Sequence, residues 1–114
     1  MSNLEIISNN IPFNGEYKQY YENGELQSEC NYKDGKLHGE YKFYEDGVLR
    51  IHNNFKDGKW EGEKKEWHSN GVLAEHSFYK DGKLEGERKL WDLNAKLGLI
   101  MYYKDGKNVK SISY

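Results

Sequence analysis

The sequence predicts an all-β fold: a single-layer antiparallel β-meander of tandem hairpin repeats, with about ten strands and no helix of useful length. Three observations carry that reading. Gly-Glu returns at Gly15, Gly39, Gly62 and Gly86, a period of about two dozen residues that marks a repeat array. An Asp-Gly-Lys turn returns at Asp34, Asp57, Asp81 and Asp105. Asn23-Gly24, Asp46-Gly47 and Asn70-Gly71 punctuate the units in between, so no interval leaves room for a helix.

Taken in order, residues 1–14 form an N-terminal half-repeat cap, with Leu4 in the place of Leu26 and Pro12 where a turn is due, so Leu4 to Phe13 reads as an edge strand. Repeats follow at 15–38, 39–61, 62–85 and 86–109, and 107–114 supplies a capping strand that opens a further unit without continuing it. Asn-Gly and Asp-Gly loops of two residues favour the type I′ hairpin, because both central residues need positive φ. The loop at Asn94-Ala95 lacks its glycine, and Ala95 is expected at positive φ if that loop keeps the shape of the others.

Cross-strand partners follow from loop length. Around Asn70-Gly71 the count pairs His68 with Leu73, Glu66 with Glu75, Lys64 with Ser77 and Gly62 with Tyr79. The same count sets Gly15 opposite Tyr32 and Gly86 opposite Tyr103, where a ring covers backbone that a missing side chain exposes. In the second unit the first strand is one residue short, which would set Gly39 against Asn54; a bulge or longer loop is expected between Tyr44 and Phe55. At the C-terminus the count sets Leu99 against Ile112 and Leu97 against Tyr114, and the tail is expected to stabilise the last hairpin.

The pairing sorts the side chains by face. Tyr17, Tyr21, Leu26, Cys30, Tyr32, Leu37, Tyr41, Phe43, Leu49, Phe55, Trp60, Leu73, Tyr79, Leu84, Leu90, Leu97, Leu99, Met101 and Tyr103 fall on an apolar side. The other side repeats Glu16, Lys18, Tyr20, then Glu40, Lys42, Tyr44, then Glu63, Lys65, Trp67, then Glu87, Lys89, Trp91. Such Glu and Lys ladders are a solvated surface that discourages edge aggregation.

A chain of 114 residues that is 36% hydrophobic supports one small domain. Its net charge of -2, with Lys alternating with Glu, gives no basic field for nucleic acid. The same alternation disfavours an anionic membrane surface. One cysteine, Cys30, excludes an internal disulfide and reads as a small buried hydrophobe, which fits a reducing cytoplasmic setting. Met1 to Asn14 has neither a basic start nor a long apolar run, so no signal peptide or anchor is expected.

The spacing Gly-Glu-Tyr-Lys-x-Tyr-Tyr-Glu-Asn-Gly-x-Leu, followed by Tyr-Lys-Asp-Gly-Lys-Leu-x-Gly, resembles the variant MORN repeat of bacterial proteins described as YwqK-like antitoxins. The resemblance runs from about Gly15 to Lys107. Ala95 and the segment Asn108-Val109-Lys110 depart from the pattern. What the resemblance implies is a non-enzymatic binding scaffold without a cofactor, in some relatives an antitoxin or immunity partner of a toxin. The competing expectation is a structural or self-assembling repeat that pairs into a homodimer.

Repeat scaffolds keep structural positions alike and vary those that touch ligands. Two columns of the apolar face vary most: Tyr17, Tyr41, Lys64, Arg88 and Gln19, Phe43, Glu66, Leu90. They are expected to form a partner-binding stripe, with Tyr and Phe as anchors and Lys64 and Arg88 reading charge; the alternative is that the first half of the stripe is core. No metal site is expected at His38, His52, His68 or His76, which form no compact ligand spacing. No nucleophile elbow, P-loop or Cys/His signature points to catalysis, and Glu that recurs once per repeat is explained by the ladder.

Overall fold

A computed structural model describes residues 13–114. The expected half-repeat cap and edge strand lie outside the described residues, apart from Phe13 and Asn14. The strands are β1 (Gly15–Tyr20), β2 (Leu26–Lys33), β3 (Lys36–Leu37), β4 (Gly39–Glu45), β5 (Val48–Lys56), β6 (Lys59–Trp60), β7 (Gly62–Trp67), β8 (Leu73–Lys80), β9 (Lys83–Leu84), β10 (Gly86–Trp91), β11 (Leu97–Lys104) and β12 (Lys107–Ser113). They form one antiparallel sheet in the order β1-β2-β4-β5-β7-β8-β10-β11-β12, while β3, β6 and β9 pair back onto β2, β5 and β8. The result is an open meander of 54 × 31 × 17 Å.

Two kinds of turn occur along it. At Asp34-Gly35, Asp46-Gly47, Asp57-Gly58, Asp81-Gly82 and Asp105-Gly106 both central residues have positive φ, as a type I′ loop requires. The expectation of the same loop at Asn23-Gly24 and Asn70-Gly71 is corrected: only the glycine is left-handed there. Gly24 N–H donates to Tyr21 O at 2.9 Å and Tyr21 N–H to Glu25 O at 2.8 Å, which makes a three-residue loop ending in a left-handed glycine. Asn23 Oδ1 accepts from Glu25 N–H and Asn70 Oδ1 from Val72 N–H, an Asx turn that suits an asparagine of ordinary φ.

The extra loop residue shifts the pairing next to it. Gly62 faces Tyr79, Lys64 faces Ser77 and Glu66 faces Glu75 as expected, but Leu73 faces Trp67 and not His68, with Ala74 bulged out. The bulge expected in the second unit is present at Arg50 and brings Gly39 opposite Phe55. Equivalent bulges at Gln27 and Gly98, like the one at Ala74, were not expected.

A second irregularity gives the repeat its period. From Tyr32–Leu37 to Glu29–Lys42, β2 advances three residues while its partner path advances five, so two residues are absorbed between β3 and β4. Gly39 sits in that kink at φ 85°, and Gly62 and Gly86 sit in its equivalents at 87° and 81°. A Cβ at Gly39 or Gly86 would meet nothing within 4 Å, so the glycine serves the left-handed backbone and not a close approach. The opposed aromatic ring is real but is not the main reason for the residue.

Lys110 occupies the same position after Asp105 that Gly39 occupies after Asp34. Lacking the glycine, β12 makes a one-residue bulge at Val109 and stays paired along β11. This corrects the C-terminal register: Leu99 faces Ser113, Ile100 faces Ile112, and Tyr114 N–H donates to Gly98 O at 2.9 Å.

The units are stitched along both edges. Gly35, Gly58, Gly82 and Gly106 N–H donate to Phe13, Leu37, Trp60 and Leu84 O at 2.8, 2.9, 2.9 and 3.0 Å. Asp34, Asp81 and Asp105 N–H donate to Asn14, Glu61 and Glu85 at 2.9, 2.9 and 3.1 Å. His38 stands in that column before Asp57, and its buried Nδ1 has no partner among the described residues. On the other edge Tyr21, Arg50 and His68 side chains bond the carbonyls of Tyr44, Trp67 and Trp91 at 2.6, 2.7 and 2.8 Å.

Candidate functional site

Register places all eight stripe residues on one face. One row runs Gln19, Ser28, Phe43, Ile51, Glu66, Glu75, Leu90 and Leu99 across successive strands. In the neighbouring row Tyr17, Tyr41, Lys64 and Arg88 face Cys30, Asn53, Ser77 and Met101. Gln19 is exposed and the other seven are half-buried. The face is less apolar than the sequence implies, because Ser28, Asn53, Glu75 and Ser77 are buried there beside Cys30 and Met101. A single sheet gives little depth, so small and hydrogen-bonding residues fill its centre while larger rings lie around them.

Aromatic packing holds that rim in place. Tyr41 meets Phe55 edge-on at 6.2 Å, Phe55 meets Trp60 at 6.0 Å, and Trp60 meets Tyr79 at 4.6 Å. Tyr17 meets Tyr32 at 6.2 Å in the same way. Burial pushes the Tyr41 and Tyr79 phenols above their usual range, so both stay neutral hydrogen-bonding groups. Burial likewise raises the Cys30 thiol, which leaves it protonated and unreactive.

The charges meet at Glu75, a residue the sequence reading did not single out. Its side chain is 8% exposed and takes Arg88 Nε at 3.0 Å, Arg88 Nη2 at 3.4 Å and Lys64 Nζ at 3.8 Å. Ser77 Oγ, fully buried, donates to it at 3.2 Å. Burial works against the Arg88 charge, but bonding to Glu75 outweighs it and holds the guanidinium above its usual range. Lys64 also reaches Glu66 at 2.9 Å and lies 5.0 Å from the Trp60 ring centre. Lys64 and Arg88, expected to read a partner's charge, are thus engaged by the chain's own carboxylates. The available signal was Glu75 itself, paired with Glu66 between the apolar Phe43 and Ile51 on one side and Leu90 and Leu99 on the other.

On the opposite face the ladder is built from pairs within single strands: Lys18–Glu16 at 3.6 Å, Lys42–Glu40 at 3.5 Å, Lys65–Glu63 at 3.8 Å and Lys89–Glu87 at 3.7 Å. Exposed pairs of this kind contribute little stability. His76 Nε2 lies 2.7 Å from Glu63 and His52 Nε2 3.3 Å from Glu40. The His76 hydrogen bond holds the Glu63 carboxyl below its usual range.

No group of three or more metal-ligating side chains occurs among the described residues. A hollow of about 240 Å³ is lined by Glu16, Glu29, Cys30, Asn31, Glu40 and Lys42, and it pairs no base with an accessible nucleophile. Ser77 is hydrogen-bonded to a carboxylate, yet its complete burial keeps any substrate away. No helix among the described residues is long and apolar enough to cross a membrane. The arrangement offers a broad, ring-edged surface with a charged centre, suited to contact.

The sequence profile of the MORN repeat variant matches residues 13–34, 37–57 and 60–81, more than half of the chain. The unit beginning at Gly86 falls outside those matches. No curated protein and no solved structure shows significant similarity to the chain.

Proposed function

The chain belongs to the MORN repeat variant family, and from that premise we propose that it is a non-enzymatic protein-binding scaffold of the antitoxin or immunity type, neutralising one partner protein through the stripe. The observation that supports this reading is the alignment of Tyr17, Gln19, Tyr41, Phe43, Lys64, Glu66, Arg88 and Leu90 on one face of an open sheet. Tyr41 and Phe43 are the anchors, since immobilised rings give large contact area at small entropic cost. Glu66, the more exposed of the two carboxylates in the row, supplies the polar part of the contact. The fourth unit contributes Leu90 and the apolar end.

A self-pairing structural role is the competing reading, favoured by β12, which pairs only with β11 among the described residues and leaves Val109 65% and Tyr114 67% exposed. Affinity capture from the native host separates the two. Wild type should retain one stoichiometric foreign protein, while Tyr41→Ala with Phe43→Ala should lose it and Lys42→Ala with Lys65→Ala on the ladder face should keep it. Equal capture by all three chains would refute the stripe.

A further inference from the structure

The centre of the stripe holds Phe43, Ile51, Glu66, Glu75, Leu90 and Leu99 on successive strands. Two carboxylates directly opposite one another repel, and an apolar setting strengthens the repulsion. The chain compensates them unequally. Glu75 has both contacts of Arg88 and the Ser77 hydroxyl. Among the described residues Glu66 has Lys64 alone, at 2.9 Å, and that ammonium is shared with Glu75 and the face of Trp60. Glu66 is also the carboxylate that reaches solvent, with a side chain 37% exposed against 8% for Glu75.

A second acceptor lies nearby. Asn53, two residues along β5 from Ile51, is 5% exposed, and its Oδ1 has no donor among the described residues. The two carboxylates and two cations cancel in charge, so what the site can still take is a donor, at Asn53 Oδ1 and at the solvent-reaching Glu66, and the apolar residues around them can take the stem of a long side chain.

We infer that Glu66 is the seat for a cationic side chain, an arginine by preference, presented by a protein partner. The guanidinium's planar fork meets the carboxylate in two parallel hydrogen bonds, and its stem lies against Phe43, Ile51 and Leu90. An acidic side chain finds no such seat, because Lys64 and Arg88 are already bonded within the chain. The inference rests on the stripe reading and gives it a chemistry: the partner is recognised through a basic residue ringed by apolar ones.

The test is a nitrogen-15 NMR titration of the full chain with three capped tripeptides, Gly-Arg-Gly, Gly-Glu-Gly and Gly-Trp-Gly. The arginine peptide should shift the amides of Phe43, Ile51, Glu66 and Glu75. Glu66→Gln should weaken that binding about tenfold, the size of one charge-assisted hydrogen bond, whereas Lys42→Ala on the other face should leave it unchanged. Should Glu66→Gln fail to fold, Glu66→Asp takes its place, since it keeps the charge and withdraws the carboxylate, and it should weaken binding measurably. Arginine-peptide shifts confined to the acidic loops at Glu22, Glu25, Glu45 and Asp46, or binding unaltered in the Glu66 variant, would overturn the seat. Stripe shifts with the tryptophan or glutamate peptide but not with arginine would overturn the seat and leave the stripe standing; no stripe shift with any of the three would remove both.

Discussion

Replacing Gly62 by alanine isolates the backbone cost of the kink that sets the repeat. Gly62 has φ 87°, and a Cβ built there would meet only Asn54 Cβ, at 4.0 Å, an ordinary contact. The cost is then conformational: about 1–2 kcal/mol for holding an L-residue left-handed, reduced by about 0.4–1 kcal/mol because alanine restricts the unfolded chain. A net loss of about 1 kcal/mol follows, which lowers Tm by about 4 °C in a domain of this size. Gly62→Asn should lose less, since asparagine visits the left-handed region more readily. Gly98→Ala is the control: its φ is ordinary and its Cβ would lie 3.9 Å from Leu90 O, so stability should hold or rise slightly. Urea unfolding of the three variants measures these differences. A loss above about 4 kcal/mol for Gly62→Ala would mean that packing governs the site, and no loss would mean that the kink needs no left-handed residue.

Other outcomes follow from the same geometry. Ala95 stands at φ 66° in the loop where Gly24 and Gly71 stand at 91° and 87°, so Ala95→Gly should stabilise by about 1 kcal/mol and raise Tm in a thermal melt. His38→Glu should also stabilise, by about 1 kcal/mol, because a carboxylate there can accept from Asp57 N–H as Glu61 and Glu85 accept from Asp81 and Asp105; an unchanged Tm would mean that His38 Nδ1 is satisfied by solvent. Glu63 is held below its ordinary value of 4.5 by the His76 hydrogen bond, so its contribution is present above that pH and lost as pH falls through the lowered value. The stability gap between wild type and Glu63→Gln should accordingly be open above pH 4.5 and narrow below it, as followed by urea titrations at successive pH values.

Much of this fold is legible in the sequence because two-residue Asp-Gly loops leave the chain almost no choice: Asp34-Gly35 and its copies take the expected turn, and the pairs Gly15–Tyr32, Gly62–Tyr79 and Gly86–Tyr103 follow by counting. Counting fails where the backbone inserts residues without a visible marker. Asn23-Gly24 resembles a two-residue loop, yet its third residue, Glu22, is recruited because Asn23 gains an Asx hydrogen bond. The kinks at Gly62 and Gly86 were hidden for a different reason, since the opposed Tyr79 and Tyr103 already gave those glycines a sufficient explanation. At the stripe, counting cross-strand pairs identified which residues share a face, but not that Glu75 would bind Lys64 and Arg88. Variation along repeats reports exposure to change; side-chain length and burial decide which charges are internally matched.

On the proposed function the stripe is an open surface kept for a foreign protein. Light scattering of the purified chain tests this most directly. A monomer of 13.5 kDa is the predicted result, with the stripe uncovered in the absence of its partner. A stable species of twice that mass, which Tyr41→Ala with Phe43→Ala converts to monomer, would show a second copy covering the stripe and would contradict it.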